Sequence, residues 1–205
     1  IDNDCDGSGD PAGIASLFPA GGTTGIDITA DFSGAPGSPA TPVLTDDGSV
    51  VLCGGTYYVN AVVEASIGFS AVGDAVLDGA GAGSIISVTA NNVSVGVFGL
   101  TLQNGAGSAL GATGYTSSGG AIACVAASEL AVEDSVFTGN TGDLGGALLA
   151  RGCTTTVTGS RFELNTASED GGAIYAYNGD IHLESTDFTE NTASHEGGAV
   201  QAGMA

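Results

Sequence analysis

The chain has 205 residues, 36 of them glycine, and only two cations, Arg151 and Arg161, against 23 Asp and Glu, giving a formal charge of −21. Such a surface repels nucleic acid, anionic membrane surfaces and acidic polysaccharides, and it suits divalent cations or a salty medium. No apolar run approaches the length of a membrane-spanning helix, and abundant Val, Ile, Thr and Gly favour short strands over helices.

Residues 1–13 open on Asp2-Asn3-Asp4-Cys5-Asp6-Gly7-Ser8-Gly9-Asp10. Carboxylates at alternate positions, then a glycine at the sixth and an aspartate at the ninth, match the first part of an EF-hand-type calcium loop. Asp2, Asp4 and Asp6 would give side-chain oxygens, Ser8 a backbone carbonyl, and Asp10 a direct or water-mediated ligand. Gly13 stands where the bidentate Glu belongs. Calcium is the expected cofactor; the alternative is a solvated acidic linker. The segment also resembles the Asp-Asn-Asp-Cys-Asp-Gly motifs of secreted bacterial proteins and the calcium repeats of thrombospondin type.

Residues 14–48, with Pro36, Pro39 and Pro42, read as a cap over the open edge of a first coil. Within them, residues 14–18 are read as one short helical turn. From residue 49 onward the chain predicts roughly six coils of a solenoid. Ser49 to Tyr57 reads as a strand running into a glycine turn; residues 75–79, 84–88 and 93–105 continue the pattern. Residues 106–118, around Tyr115, are read as an inserted loop. Asn92-Val93-Ser94 is a glycosylation triplet taken as chance.

The last ninety residues then repeat. Gly-Gly-Ala plus an aliphatic residue begins at Gly119, Gly145, Gly171 and Gly197, always 26 apart, and Phe-x-x-Asn recurs as Phe137/Asn140, Phe162/Asn165 and Phe188/Asn191. Aligned on the phenylalanines, Leu130 and Val132, Thr155 and Val157, and Ile181 and Leu183 take the same alternate positions, so each unit holds a strand buried on one side. The aliphatic residues Ile122, Leu148, Ile174 and Val200 are expected to point inward, and the following Ala123, Leu149, Tyr175 and Gln201 to face water. Short strands in 26 residues, with no room for a crossover helix, predict an all-β parallel β-helix with coils about 4.8 Å apart. Phe137, Phe162 and Phe188 would then stack in an inner column. Asn140, Asn165 and Asn191 would form an amide ladder at a turn.

These tetrapeptides resemble the paired repeats of the chlamydial polymorphic outer-membrane proteins, whose passengers are extracellular β-helices associated with adhesion. The stretch from Val50 to Asn104 resembles the opening of pectin-lyase-like right-handed β-helix proteins of bacterial surfaces. Right-handedness is implied by that resemblance and by the general hand of parallel connections. The C-terminal membrane barrel of the polymorphic proteins is not among these residues. The chain starts inside a motif and stops inside a repeat, so it is read as a processed or truncated piece whose export signal or anchor lies outside it.

Four cysteines without Cys-x-x-Cys spacing fit an exported protein with disulfides. Stacking brings Cys124 and Cys153 near one another on adjacent coils, within bridging distance, which leaves Cys5 to tie the calcium loop to Cys53. The alternative is four buried thiols. Catalytic constellations are thin: Arg151 and Arg161 lack ionised clusters, and Glu133 with Asp134, or Glu184 with Asp187, are carboxylate pairs only by proximity. His182 and His195 read as surface residues, and no nucleophile or phosphate motif is present. No enzyme is expected. The first functional reading is an adhesin-like module of the bacterial cell surface, binding a cell or matrix ligand through its lateral face and loops. The second is a structural spacer or filament subunit that stacks on itself end to end, and a polysaccharide lyase or hydrolase ranks behind both.

Overall fold

The computed structural model describes residues 15–107 and 119–203. Over these residues the chain winds as a parallel β-helix with three walls. Wall one is a seven-stranded parallel sheet: Val43–Leu44, Ala61–Val63, Ile86–Val88, Ile122–Cys124, Leu148–Arg151, Ile174–Tyr177 and Val200–Gly203. Wall two stacks Ser94–Phe98, Glu129–Glu133, Thr154–Thr158 and Ile181–Glu184; wall three stacks Thr101–Gln103, Val136–Thr138, Arg161–Glu163 and Asp187–Thr189. In the first two coils these walls are continuous, because Gly48–Tyr58 and Ile67–Asp78 run across the corner between them. The pairing register slips between Cys53 and Gly55 there, and Gly73 takes φ 80°, a backbone conformation that lets the strand bend without a Cβ clash.

Inward positions stack in columns. Wall two contributes Val50, Phe69, Val97, Val132, Val157 and Leu183, paired rung by rung. Wall three contributes Tyr57, Leu77, Leu102, Phe137, Phe162 and Phe188. The Phe137 and Phe162 rings lie 4.5 Å apart and within 4° of parallel, and Phe162 and Phe188 lie 5.3 Å apart at 16°. Parallel in-register pairing brings like side chains to this stacking distance, so flat rings stack face to face along the interior.

The glycine pairs serve close approach. A Cβ on Gly146 would collide with the Gly172 carbonyl oxygen and the Thr166 backbone, so this corner admits no side chain. The alanine that follows continues the backbone ladder: Ala121, Ala147 and Ala173 each donate their N–H to the equivalent alanine of the next coil, at 2.8–2.9 Å.

Three expectations need correction. The stretch read as a helical turn is, over its described residues, a strand: Ala15–Pro19 runs antiparallel to the outer edge of Gly48–Tyr58 from Ala15↔Leu52 to Pro19↔Gly48. Covering that edge satisfies N–H and C=O groups that a lone turn would leave open, and the helix falls instead at Thr29–Phe32, with Phe32 buried. The coil ladder already includes Val43–Leu44, inside the stretch read as cap. Ala123 and Leu149 do not face water; they are 0 % and 1 % exposed. Their variation along the column does not report exposure on this wall.

Candidate functional site: corners and lateral walls

At the two corners that flank wall three, the last three coils each place a residue with positive φ before a polar side chain that turns inward. Between walls two and three the pairs are Asp134-Ser135, Gly159-Ser160 and Ser185-Thr186; after wall three they are Gly139-Asn140, Leu164-Asn165 and Glu190-Asn191. At the second corner the asparagines satisfy one another. Asn165 Nδ2 donates to the Phe137 carbonyl at 3.0 Å and to Asn191 Oδ1 at 2.9 Å, while its own Oδ1 accepts from Asn140 N and Asn140 Nδ2, both at 3.0 Å. Asn140 and Asn165 are wholly buried, and Gly105 N caps the column by donating to Asn140 Oδ1 at 2.9 Å. At the first corner a hydroxyl ladder, overlooked in the sequence, does similar work. Ser135 N donates to Ser160 Oγ at 3.2 Å, and each hydroxyl donates to the carbonyl two residues back, Ser135 to Glu133 and Ser160 to Thr158. Its signal was present: Ser135, Ser160 and Thr186 all stand two residues before the phenylalanine.

Below the asparagines the polar role passes to Asp78. Its buried carboxylate accepts from Gln103 Nε2 and Asn104 Nδ2, both at 2.8 Å, and from Ala80 N at 2.8 Å. At the corner between walls one and two, Cys124 and Cys153 are joined in a disulfide with Cα atoms 6.2 Å apart. Cys53 is also disulfide-bonded. Cys5 and the calcium ligands Asp2, Asp4, Asp6, Ser8 and Asp10 lie outside the described residues, as do residues 108–118 of the inserted loop. The loop's first residues are anchored: Ala106 bridges to Thr141, and Gly107 N donates to the Thr141 carbonyl at 2.7 Å.

The outer side of wall two is a ruled surface. One row runs Gly68, Gly96, Ala131, Thr156, His182 and the next runs Ser70, Phe98, Glu133, Thr158, Glu184. The Phe98 ring lies over Gly96, where a Cβ would clash with it. Two shallow grooves meet on this wall at Ser94: one of about 430 Å³ reaches Asn92, Glu129, Gly152 and Thr154, the other of about 270 Å³ reaches Gly68, Phe98 and Ala131.

The residues weighed for catalysis are spread out. Arg161 pairs with Glu163 on its own strand at 3.3 Å, and His182 Nε2 sits 3.8 Å from Glu184 Oε2, both side chains about two-thirds exposed. Arg151 stands over the Tyr177 ring, 5.7 Å from its centroid. Among the described residues no group of three His, Cys, Asp or Glu is arranged to hold a metal, and no helix is long and apolar enough to cross a membrane.

Two stretches, residues 159–177 and 185–203, match the Chlamydia polymorphic membrane protein (Chlamydia_PMP) repeat. Each runs from the hydroxyl corner through the phenylalanine, the ladder asparagine and Gly-Gly-Ala to a strand of wall one. No curated protein and no solved structure matches the chain.

Proposed function

We propose that this chain is an adhesin-like β-helix module of a bacterial cell surface, which engages a cell or matrix ligand through its lateral walls and inserted loop and catalyses no reaction. The observation that carries this reading is the pairing of a rigid, in-register outer wall with two copies of a polymorphic membrane protein repeat. Outward rows of small and polar side chains on parallel strands present a flat, pre-organised surface, and loops projecting from such scaffolds carry recognition. The Cys124–Cys153 disulfide fits an oxidising, extracytoplasmic location. Calcium bound by the aspartates of residues 2–10 would neutralise part of the N-terminal charge; isothermal titration of the full chain should give a saturable calcium heat that Asp4→Asn with Asp6→Asn removes.

Saturable attachment of the purified chain to cultured animal cells or immobilised matrix proteins tests the main reading. Attachment should drop at least tenfold when residues 106–118 are replaced by a short Gly-Ser link or when Thr156→Lys and Thr158→Lys roughen wall two. Attachment no higher than that of an unrelated acidic protein would sink it. The spacer or filament reading draws on a separate observation, that the last coils stack in register on one another along the axis. Concentration-dependent fibres in electron micrographs would favour it.

A further inference from the structure

Wall one carries a group that the adhesin reading does not use. Strand Ile174–Tyr177 buries Ile174 and Ala176 and turns Tyr175 and Tyr177 outward, both half-buried. The two rings are 6.3 Å apart and within 18° of parallel. In the coil before, Leu149 (itself buried) and Arg151 stand in register with the two tyrosines; in the coil after, Gln201 and Gly203 do. The Arg151 guanidinium therefore lies on one side of Tyr177, 5.7 Å from its centroid, and bare glycine backbone on the other. Beyond Tyr175, Gln201 Nε2 donates to Glu196 Oε2 at 3.1 Å. Burial first, and the nearby Asp170 carboxylate second, raise the pKa of the Tyr175 hydroxyl above its ordinary value.

We infer that Tyr175, Tyr177 and Arg151 form a platform for a neutral oligosaccharide. This deepens the adhesin reading by naming a ligand class for one wall, and it rests on that reading. The chemistry is specific to sugars. A pyranose offers an apolar C–H face, which an aromatic ring covers, and a rim of hydroxyls that need donors and acceptors together. The Tyr177 face turned away from Arg151, beside Gly203, takes one such face, and the near-parallel Tyr175 ring extends the platform along the strand. Arg151, Gln201 and the phenol groups donate; the Asp170 and Glu196 carboxylates accept. An acidic glycan is repelled by the charge of −21. A cationic peptide meets Arg151 already standing over Tyr177, a like charge at the best cation–π position.

The full chain is titrated with maltohexaose, cellohexaose, mannohexaose and xylohexaose, and with a Lys-rich peptide, by calorimetry and by tyrosine fluorescence, which no tryptophan obscures. At least one sugar should bind saturably. Tyr175→Ala and Tyr177→Ala should each weaken it at least tenfold with unchanged circular dichroism and Tm, whereas Tyr177→Phe, which keeps the ring, should lose less than fivefold. The proposal is overturned if no neutral sugar binds, if both alanine variants bind as tightly as the parent, or if the variants lose only the peptide. Cell attachment is measured on the same proteins. Attachment that persists without sugar binding overturns the platform alone; sugar binding lost in the variants, from a chain that attaches to no cell, supports the platform and removes the adhesin reading.

Discussion

Thr155 sits on wall two between Leu130 below and Ile181 above, 1 % exposed, and its hydroxyl has no hydrogen-bond partner. A buried unpaired hydroxyl is costly, while its shape is that of valine. Thr155→Val should therefore stabilise the coil by about 1 kcal/mol, read as a higher urea midpoint with unchanged slope. Tyr57 shows the opposite solution. Its buried hydroxyl donates to the Cys53 carbonyl at 2.7 Å, and burial raises its pKa from 10.0 to about 12, the hydrogen bond pulling slightly the other way. Between those values the unfolded chain releases a proton that the fold retains. Stability is therefore full below pH 10 and falls as pH rises toward 12. Tyr57→Phe should flatten that alkaline loss, as followed by thermal melts at pH 9, 10 and 11; an equally steep loss in the variant would place the cause elsewhere.

At the scale of the element, the asparagine column behaves as one unit. Asn165→Ala removes two donated and two accepted bonds at a buried site and strands the Asn140 N–H and the Phe137 carbonyl. A loss of about 3–5 kcal/mol is expected. Because coils unfold semi-independently in repeat arrays, hydrogen exchange should quicken first in the coils that carry Asn140, Asn165 and Asn191, with the Gly48–Asp78 region little changed; uniform quickening would argue for one cooperative block. These columns were legible in the sequence because in-register stacking repeats each residue's environment, so Phe137, Phe162 and Phe188 mark themselves by spacing. The serine corner used the same signal but was missed, since Ser is common in turns and Thr186 breaks the identity. Ala123 and Leu149 misled because variation was read as exposure, whereas this part of wall one is buried. Strand Ala15–Pro19 was illegible for another reason: it occurs once, and only its tertiary partner Gly48–Tyr58 decides its conformation. The lateral grooves and the placement of Arg151 beside Tyr177 depend on which outward rows fall side by side, which needs register as well as period.

For the whole molecule the charge dominates. With −21 on the chain and two arginines against 23 carboxylates, folding gathers like charges with little compensation. Raising NaCl from about 10 mM to 1 M shortens the screening length from about 30 Å to about 3 Å and should raise Tm by several degrees. A fold relying on surface ion pairs would move the other way or not at all. Reduction of Cys124–Cys153, which closes a segment of 29 residues, should cost about 2–4 kcal/mol and lower Tm at every salt concentration.

The asparagine column also bears on heredity. The Asn165 amide bonds to Asn140 on one side and to Asn191 on the other, so splicing in another whole unit at that level keeps its donors and acceptors matched, whereas a frame-preserving insertion of a few codons within a unit breaks the match. Exchange of whole units between segments such as 159–177 and 185–203, which share the phenylalanine, the ladder asparagine and Gly-Gly-Ala, would lengthen or shorten the protein in whole turns at little cost to folding. Size variants that differ by multiples of 26 residues are the lineage this architecture tolerates.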